Sequence, residues 1–187
     1  MRIIAAHTPE HIDALRALFR EYAADIRTDL CFQGFERELA TLPGSYAPPA
    51  GRLLAAVLDA EEAIAARHAS ASYTYLAYAG CVALRPLAEG CCEMKRMYVR
   101  PAFRRQGLGR RLALATIAAA REIGYASMRL DTLGHMLPAI RLYESLGFAH
   151  VGPYYLNPLP NVTYMELNLQ RASPHPSISP AHDREQP

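Results

Sequence analysis

The feature that most constrains this sequence is an arginine- and glycine-rich turn between two segments of different periodicity. The turn consists of Arg104, Arg105, Gln106, Gly107, Leu108 and Gly109. Before it, residues 91–99 predict a β-strand, which the break at Arg100 and Pro101 ends. After it, apolar residues recur at helical spacing up to Ile123, and Gly124 predicts the end of that helix. The segment therefore predicts a strand, a tight turn and a helix in that order.

This order of elements is typical of a phosphate-binding site. The first turn of a helix has unpaired N–H donors and a partial positive charge, and both attract an anion. Gly107 and Gly109 lack the β-carbons that would keep a diphosphate away from the backbone. Arg104, Arg105 and Arg110 add positive charge at the same place.

The rest of the sequence predicts alternating short strands and helices. Thr8 is a suitable N-cap and Pro9 a suitable first residue for one helix. The predicted strands cover residues 2–6, 52–58, 73–84, 91–99, 127–131, 148–155 and 162–169, and the further helices cover 35–42, 108–123 and 136–146. Residues 59–72 fit either a helical insertion or a long hairpin loop. We expect one domain over residues 1–171 and a disordered, proline-rich tail over residues 172–187.

Composition and cysteine spacing exclude several classes of protein. Twenty basic and 18 acidic residues give a net charge of +2, too small to indicate a nucleic-acid or membrane surface. None of the cysteines (Cys31, Cys81, Cys91 and Cys92) forms a C-x-x-C pair, so we expect free thiols and no metal site. The sequence shows neither a signal peptide nor an apolar run of membrane-spanning length. We therefore expect a cytoplasmic protein.

Three motifs together resemble the GNAT superfamily of N-acetyltransferases. The turn fits the acetyl-CoA motif of that family, Q/R-x-x-G-x-G/A, through Arg104, Gly107 and Gly109. Residues 93–101 resemble its fourth strand, and residues 142–148 resemble its second hallmark, L-Y-x-x-x-G-F. The resemblance follows the order of elements over residues 1–169 and is specific over residues 93–148.

The resemblance implies a fold and a cofactor. The fold is α/β, with a mixed, mostly antiparallel, twisted sheet of six or seven strands and helices on both faces. Its parallel pair would be residues 91–99 and 127–131, joined by a right-handed crossover, and acetyl-CoA would enter where these strands splay apart. The backbone of Met97, Tyr98 and Val99 would bind the pantetheine arm as the edge of a sheet binds an added strand.

The reaction implied is direct acetyl transfer to a primary amine in a ternary complex. An alkylamine with a pKa of about 10.4 is neutral in roughly one molecule in a few thousand at pH 7, so a proton acceptor matters. Glu93 is the candidate base, directly or through water, and would need its pKa raised by burial. Strand alternation places Glu93, Met97 and Val99 on one face unless a bulge intervenes. The alternative is a structural glutamate paired with Arg129 across the sheet.

Tyr143 corresponds to the family's general acid, which protonates the departing CoA sulfur, although a tyrosine at this helical spacing also fits a plain core position. The chain departs from the family at Met136, where an asparagine commonly opens the helix. Further candidates on the acceptor side are Asp131, His135, Tyr154, Tyr155 and Asn157.

Two other classes of function remain open. A non-catalytic acyl-CoA-binding regulatory domain would keep the phosphate site without turnover. A nucleic-acid-binding protein would use the arginine run, and the near-neutral charge disfavours it. The acceptor is a small molecule or a peptide that the sequence does not specify, and the resemblance alone allows a homodimer.

Overall fold

A computed structural model describes residues 1–26, 34–69 and 77–170. Seven strands form one sheet in the order β1-β2-β3-β4-β5-β7-β6. Only β4 and β5 pair in parallel among the described strands, and the other neighbours are antiparallel. The strands are β1 (Arg2–Ala5), β2 (Arg52–Val57), β3 (Tyr78–Ala88), β4 (Cys91–Val99), β5 (Ser127–Leu133), β6 (Ala149–Val151) and β7 (Val162–Asn168).

The described part of the chain contains five α-helices: α1 (Pro9–Ile26), α2 (Phe35–Thr41), α3 (Ala60–Ala69), α4 (Leu108–Ile123) and α5 (Leu137–Ser145). The buried side chains of α1 and α2 form one apolar cluster with one face of the sheet. Those of α4 and α5 form a second cluster with the opposite face. The predicted mixed sheet with helices on both faces is therefore confirmed.

Local sequence signals mark the start of α1 and the end of α4, as predicted. Pro9 is the first residue of α1, and the Thr8 hydroxyl accepts a hydrogen bond of 3.3 Å from the His11 N–H. At the other end of α4, Gly124 has a φ of 99° and donates its N–H to the carbonyls of Ala120 and Arg121. Only glycine adopts this left-handed conformation without strain, so the helix ends there.

Two predicted strands differ from the structure by more than two residues at an end. β3 extends to Ala88, four residues beyond the prediction, and residues 73–76 lie outside the described ranges. The strand predicted over residues 148–155 is wrong for most of its length, because β6 covers only Ala149–Val151. The chain then leaves the sheet at Gly152 and Pro153 and crosses toward the middle of the sheet.

Residues 59–72, which by sequence fit either a helix or a loop, form helix α3 in the part that the structure describes. Asp59 and Glu62 exchange hydrogen bonds at its start: each carboxylate accepts the other's backbone N–H at 2.9 Å. This reciprocal cap satisfies two N–H groups at the first turn of α3. The tail predicted over residues 172–187 and the thiol of Cys31 lie outside the described residues. Within the described ranges, no helix is long and apolar enough to cross a membrane.

Candidate active site

The two parallel strands separate shortly after they meet. The pairing of β4 with β5 joins Cys91–Ser127, Cys92–Met128 and Glu93–Arg129, and the register ends there. β4 nevertheless continues to Val99 and β5 to Leu133. A crevice therefore opens in the middle of the sheet, and the edge of β4 beyond Glu93 carries peptide groups that β5 does not bind. This confirms the predicted splay.

A β-bulge at Arg96 determines which side chains face each side of the crevice. Ala83 pairs with Lys95 and Cys81 with Tyr98, so one residue of β3 opposes two of β4. Arg96 has a φ of 55°, and the bulge changes the alternation of side chains beyond it. Glu93, Lys95 and Arg96 consequently lie toward α1 and α2. The bulge is the exception that strand alternation allows, and Glu93 therefore does not share a face with Met97 and Val99, which pack against the α4 cluster.

The start of α4 has the geometry expected of an anion site. Gly107 is the N-cap, with a φ of 76° and no side-chain cap. The first backbone hydrogen bond of the helix runs from the Arg111 N–H to the Gly107 carbonyl at 3.1 Å. A β-carbon on Gly107 would meet no protein atom within 4 Å, so the space in front of it is open. An anion could approach the N–H groups of the first turn through this space.

Not every arginine of the turn is available for an anion. Arg104 donates to the Val99 carbonyl at 2.8 Å and to Asp25 at 2.7 Å, and it lies over the Tyr98 ring. Its guanidinium thus fastens the turn to β4 and α1. Arg105 is exposed with a φ of 60°, and the exposed Arg110 donates to Ser145 on α5 at 2.8 Å.

The other residues of the turn shape it. Gln106 is exposed and donates to the Ala102 carbonyl at 3.2 Å, whereas Leu108 is buried in the α4 cluster. A β-carbon on Gly109 would lie 3.6 Å from Leu142, which is an ordinary contact between α4 and α5.

Met97, Tyr98 and Val99 line the splayed edge of β4 with their backbone. The Tyr98 ring is buried on the α1 side, 6.2 Å from the Tyr22 ring, whereas Met97 and Val99 are half-buried on the other side. Their peptide groups on the side of β5 are the ones that an extended ligand would bind.

Tyr143 lies in the buried cluster formed by α4 and α5. Its ring contacts Phe148 edge to face at 5.7 Å between centroids. Its hydroxyl forms no hydrogen bond within the part of the chain that the structure describes. Burial raises the pKa of Tyr143 well above its ordinary value, and the charge of Asp131 adds to the increase. The phenol is therefore protonated at neutral pH and can donate a proton.

Glu93 is buried, with 1% of its side chain exposed, among three donors. Arg85 binds one carboxylate oxygen through Nε at 2.8 Å and Nη2 at 2.7 Å. The Tyr154 hydroxyl donates to the other oxygen at 2.8 Å, and Lys95 lies 3.7 Å from it. The suggested pair of Glu93 with Arg129 is wrong, because Arg129 binds Glu166 on β7.

A second carboxylate faces Lys95 across the crevice. Asp131 accepts hydrogen bonds of 2.9 Å from the Lys95 ammonium and from the Tyr155 hydroxyl. Asn157 in turn donates to the Tyr155 hydroxyl at 2.8 Å. The segment between β6 and β7 thus closes over the crevice, with Tyr154 and Tyr155 each bound to one carboxylate. Burial raises the pKa of both tyrosines, so both remain hydrogen-bond donors.

A cavity of about 250 Å³ opens beside Glu93 on the side of α2. Its lining combines charged groups with two leucines: Glu38, Arg85, Leu87, Glu93, Lys95, Arg96, Tyr155 and Leu156. Arg96 binds Glu38 through Nε at 3.0 Å and Nη2 at 2.6 Å. Although burial alone would raise it, these contacts lower the pKa of the Glu38 carboxyl below its ordinary value.

Sequence reasoning missed Glu38, Arg85 and Arg96. They converge only through the pairing of β3 with β4 and the packing of α2, and no local pattern marks them. His135 lies apart from this cavity: it is exposed beside a separate depression lined by Leu159 and Asn161. Met136 caps α5 without a side-chain hydrogen bond, as its departure from asparagine implies. Among the described residues, no group of three or more His, Cys, Asp or Glu could hold a metal ion.

The splayed strands and the helix that begins at Gly107 are the elements that the resemblance leads us to expect, and comparison with known proteins identifies the family. The sequence model of the Acetyltransferase (GNAT) family matches residues 23–148. A protein of Schizosaccharomyces pombe, named as an uncharacterized N-acetyltransferase, is 42% identical over 90% of this chain and 95% of its own length. The chain belongs to the GNAT acetyltransferase family.

Solved structures show the same fold. An acetyltransferase of the GNAT family from Staphylococcus aureus superposes with a TM-score of 0.68 at 17% identity, over 90% of this chain and 99% of its own. The structure of yncA from Salmonella typhimurium with its cofactor acetyl-CoA superposes with a TM-score of 0.60 at 20% identity, over 94% and 98% of the two chains.

Proposed function

We propose that this protein transfers an acetyl group from acetyl-CoA to a primary amine of a small molecule or a peptide. The observation that carries the proposal is the crevice between β4 and β5. It has an uncapped helix N-terminus on one side and a charged cavity with Glu93 on the other. A donor and an acceptor could therefore meet in the crevice from opposite faces of the sheet.

Each part of the site has a role in this proposal. The N–H groups at the start of α4, with Arg105 and Arg110, hold the diphosphate. Arg104 acts by ordering the turn. The peptide groups of Met97, Tyr98 and Val99 hold the pantetheine arm, and one N–H of that stretch faces the developing negative charge on the carbonyl oxygen. When bound, acetyl-CoA supplies an activated acetyl group as a thioester.

Glu93 and Tyr143 handle the protons. Glu93 accepts a proton from the amine, directly or through water, as nitrogen bonds to the carbonyl carbon. Tyr143 donates a proton to the sulfur as the carbon–sulfur bond breaks. An amine that arrives as an ammonium ion thus leaves as an amide, and one proton is released to solvent.

The described cysteines favour direct transfer rather than an acyl-enzyme. Cys81, Cys91 and Cys92 are all buried. Burial raises the pKa of Cys92 to about 12 and that of Cys81 further still, so neither is a thiolate at neutral pH. We accordingly propose a ternary complex.

The test is CoA release from acetyl-CoA in the presence of a panel of primary amines. Acetyl transfer predicts amine-dependent release, with initial-rate lines that intersect as both substrates are varied. Parallel lines would contradict direct transfer, because they indicate a covalent intermediate. Tight acetyl-CoA binding without release for any amine would favour a non-catalytic acyl-CoA-binding domain.

A further inference from the structure

Hydrogen-bond capacity is unevenly distributed around the cavity beside Glu93. Both carboxylates of the lining already accept hydrogen bonds: Glu38 from Arg96 and Tyr46, and Glu93 from Arg85 and Tyr154. A second cationic group that entered the cavity would find no carboxylate without a donor. The cavity is therefore short of free acceptors.

Arg85 is the most exposed cation of the cavity, and it retains hydrogen-bond donors. Its Nε and Nη2 bind Glu93, whereas Nη1 binds no described residue, and 37% of its side chain is exposed. By contrast, Arg96 and Lys95 are only 3% and 7% exposed and are bound to Glu38 and Asp131. The free edge of the Arg85 guanidinium is thus the place where an anionic group of a ligand would gain charge-assisted hydrogen bonds.

Arg85 is also adjacent to the candidate base. Because it binds Glu93 directly, an anion on its free edge lies beside the place where the reacting amine must approach Glu93. A molecule that fills both positions has its amine and its anionic group close together. An α-amino carboxylate satisfies this condition, since a single carbon separates its two groups.

The remaining lining indicates the size and polarity of the rest of the molecule. Leu87 and Leu156 border the cavity, and Leu156 is 98% exposed, so its side chain is accessible to a ligand. The volume of about 250 Å³ lies below the range of roughly 300–1,000 Å³ typical of sites for drug-sized ligands. An apolar side chain of a free amino acid would contact these leucines.

We infer that the acceptor is a free α-amino acid with an apolar side chain, whose carboxylate binds Arg85 and whose amine faces Glu93. This inference rests on the proposed acetyl transfer and names its substrate class. The atoms that react are those described above, and the carboxylate takes no part in the bond changes.

The test compares matched acceptors that differ in the carboxylate, with kcat/KM expressed per neutral amine because the carboxylate also changes the pKa of the amine. L-leucine, L-leucinamide and 3-methylbutylamine form one set, and L-phenylalanine, its amide and 2-phenylethylamine form another. The amino acid should have a kcat/KM roughly 10- to 100-fold above those of the amide and the amine, as expected for a charge-assisted contact. In Arg85→Gln, this ratio should fall to nearly one. In Arg2→Gln, which changes an exposed arginine on β1 outside this cavity and the pocket beside it, the ratio should persist.

A binding measurement separates this inference from the proposed function. L-leucine and L-leucinamide are titrated calorimetrically into the protein saturated with CoA, where no transfer occurs, and L-leucine should bind more tightly. Equal kcat/KM values within each set, or a preference for the amides, would overturn the inference and leave acetyl transfer intact. If no acceptor released CoA, the proposed function would fail, and equal affinities in the titration would overturn the inference independently.

Discussion

Lys95 on β4 and Asp131 on β5 bridge the crevice where the two strands no longer pair, with 2.9 Å between Nζ and Oδ1. Lys95 is the only lysine in the chain. Its ammonium also lies 3.7 Å from Glu93, so one cation links the two carboxylates that face the acceptor side. The crevice thus begins where the pairing of β4 with β5 ends, and an ion pair crosses it on one face. The sites proposed for the two substrates lie on either side of this point.

Replacing Gly107 with leucine should abolish binding of acetyl-CoA. The side chain would project into the space in front of α4, where the diphosphate is proposed to lie. The left-handed backbone adds strain of about 1–2 kcal/mol, so the fold should persist. Calorimetric titration with acetyl-CoA measures the loss.

Gly124→Leu is the matched control for this change. Gly124 also has a positive φ and open space around its α-carbon, but it lies at the opposite end of the same helix. It should suffer a similar strain and retain acetyl-CoA affinity. Unchanged affinity in Gly107→Leu would mean that the diphosphate binds elsewhere.

Replacing Tyr143 with phenylalanine should lower kcat roughly 100-fold, the scale of a lost general acid, and change acetyl-CoA affinity much less. The ring and its contact with Phe148 remain, and only the hydroxyl is removed. Tyr125→Phe removes a hydroxyl that binds Ala50 far along the chain, and should leave kcat unchanged. Equal losses of turnover and affinity in Tyr143→Phe would reduce Tyr143 to a packing residue.

Replacing Glu93 with glutamine should lower kcat by roughly 10²- to 10⁴-fold and steepen its dependence on pH. Without a protein base, the rate should follow the neutral fraction of the amine and rise about tenfold per pH unit toward the amine pKa of about 10.4. Rate–pH profiles with one acceptor measure this change. Glu166→Gln removes a carboxylate from the Arg129 pair on the neighbouring strand and should preserve the original profile. A parallel profile in Glu93→Gln would exclude Glu93 as the base.

The protein should lose stability in acid through Glu38. The folded-state pKa of Glu38 lies below the ordinary value of 4.5, so the unfolded chain binds the proton more readily. This contribution is present above pH 4.5 and is lost as the pH falls through the folded-state value. At neutral pH, Glu38→Gln should have a lower melting temperature than the parent, because Arg96 loses its carboxylate partner. Below pH 4.5 its melting temperature should fall less steeply than that of the parent. Glu36→Gln, an exposed neighbour on α2, should melt like the parent at each pH. Identical slopes in Glu38→Gln and the parent would contradict the assignment.

The sequence predicts the parts of this site whose signals are local. Gly107 and the helical spacing after it indicate the turn and α4, and Gly124 marks the end of that helix. The same kind of signal occurs at α3, where Asp59 and Glu62 have the spacing of a reciprocal cap, although the composition of residues 59–72 also fits a long hairpin loop.

Non-local contacts determine what the sequence does not reveal. The bulge at Arg96 depends on the register of β4 against β3, and it reverses the side on which Met97 and Val99 lie. Glu38 reaches Arg96 across 58 residues of sequence, and no periodicity encodes that pairing. The base candidate could thus be named from the sequence, but its partners could not.

The most direct test of the central claim is calorimetric titration of the full chain with acetyl-CoA, with CoA and adenosine 3′-phosphate 5′-diphosphate, which keeps the diphosphate and lacks the arm, as controls. The account predicts micromolar binding of acetyl-CoA and CoA and much weaker binding of the nucleotide, because the arm contacts the splayed edge of β4. Binding that did not depend on the arm, or no binding of any of the three, would contradict the assignment of the crevice between β4 and β5 as the acetyl-CoA site.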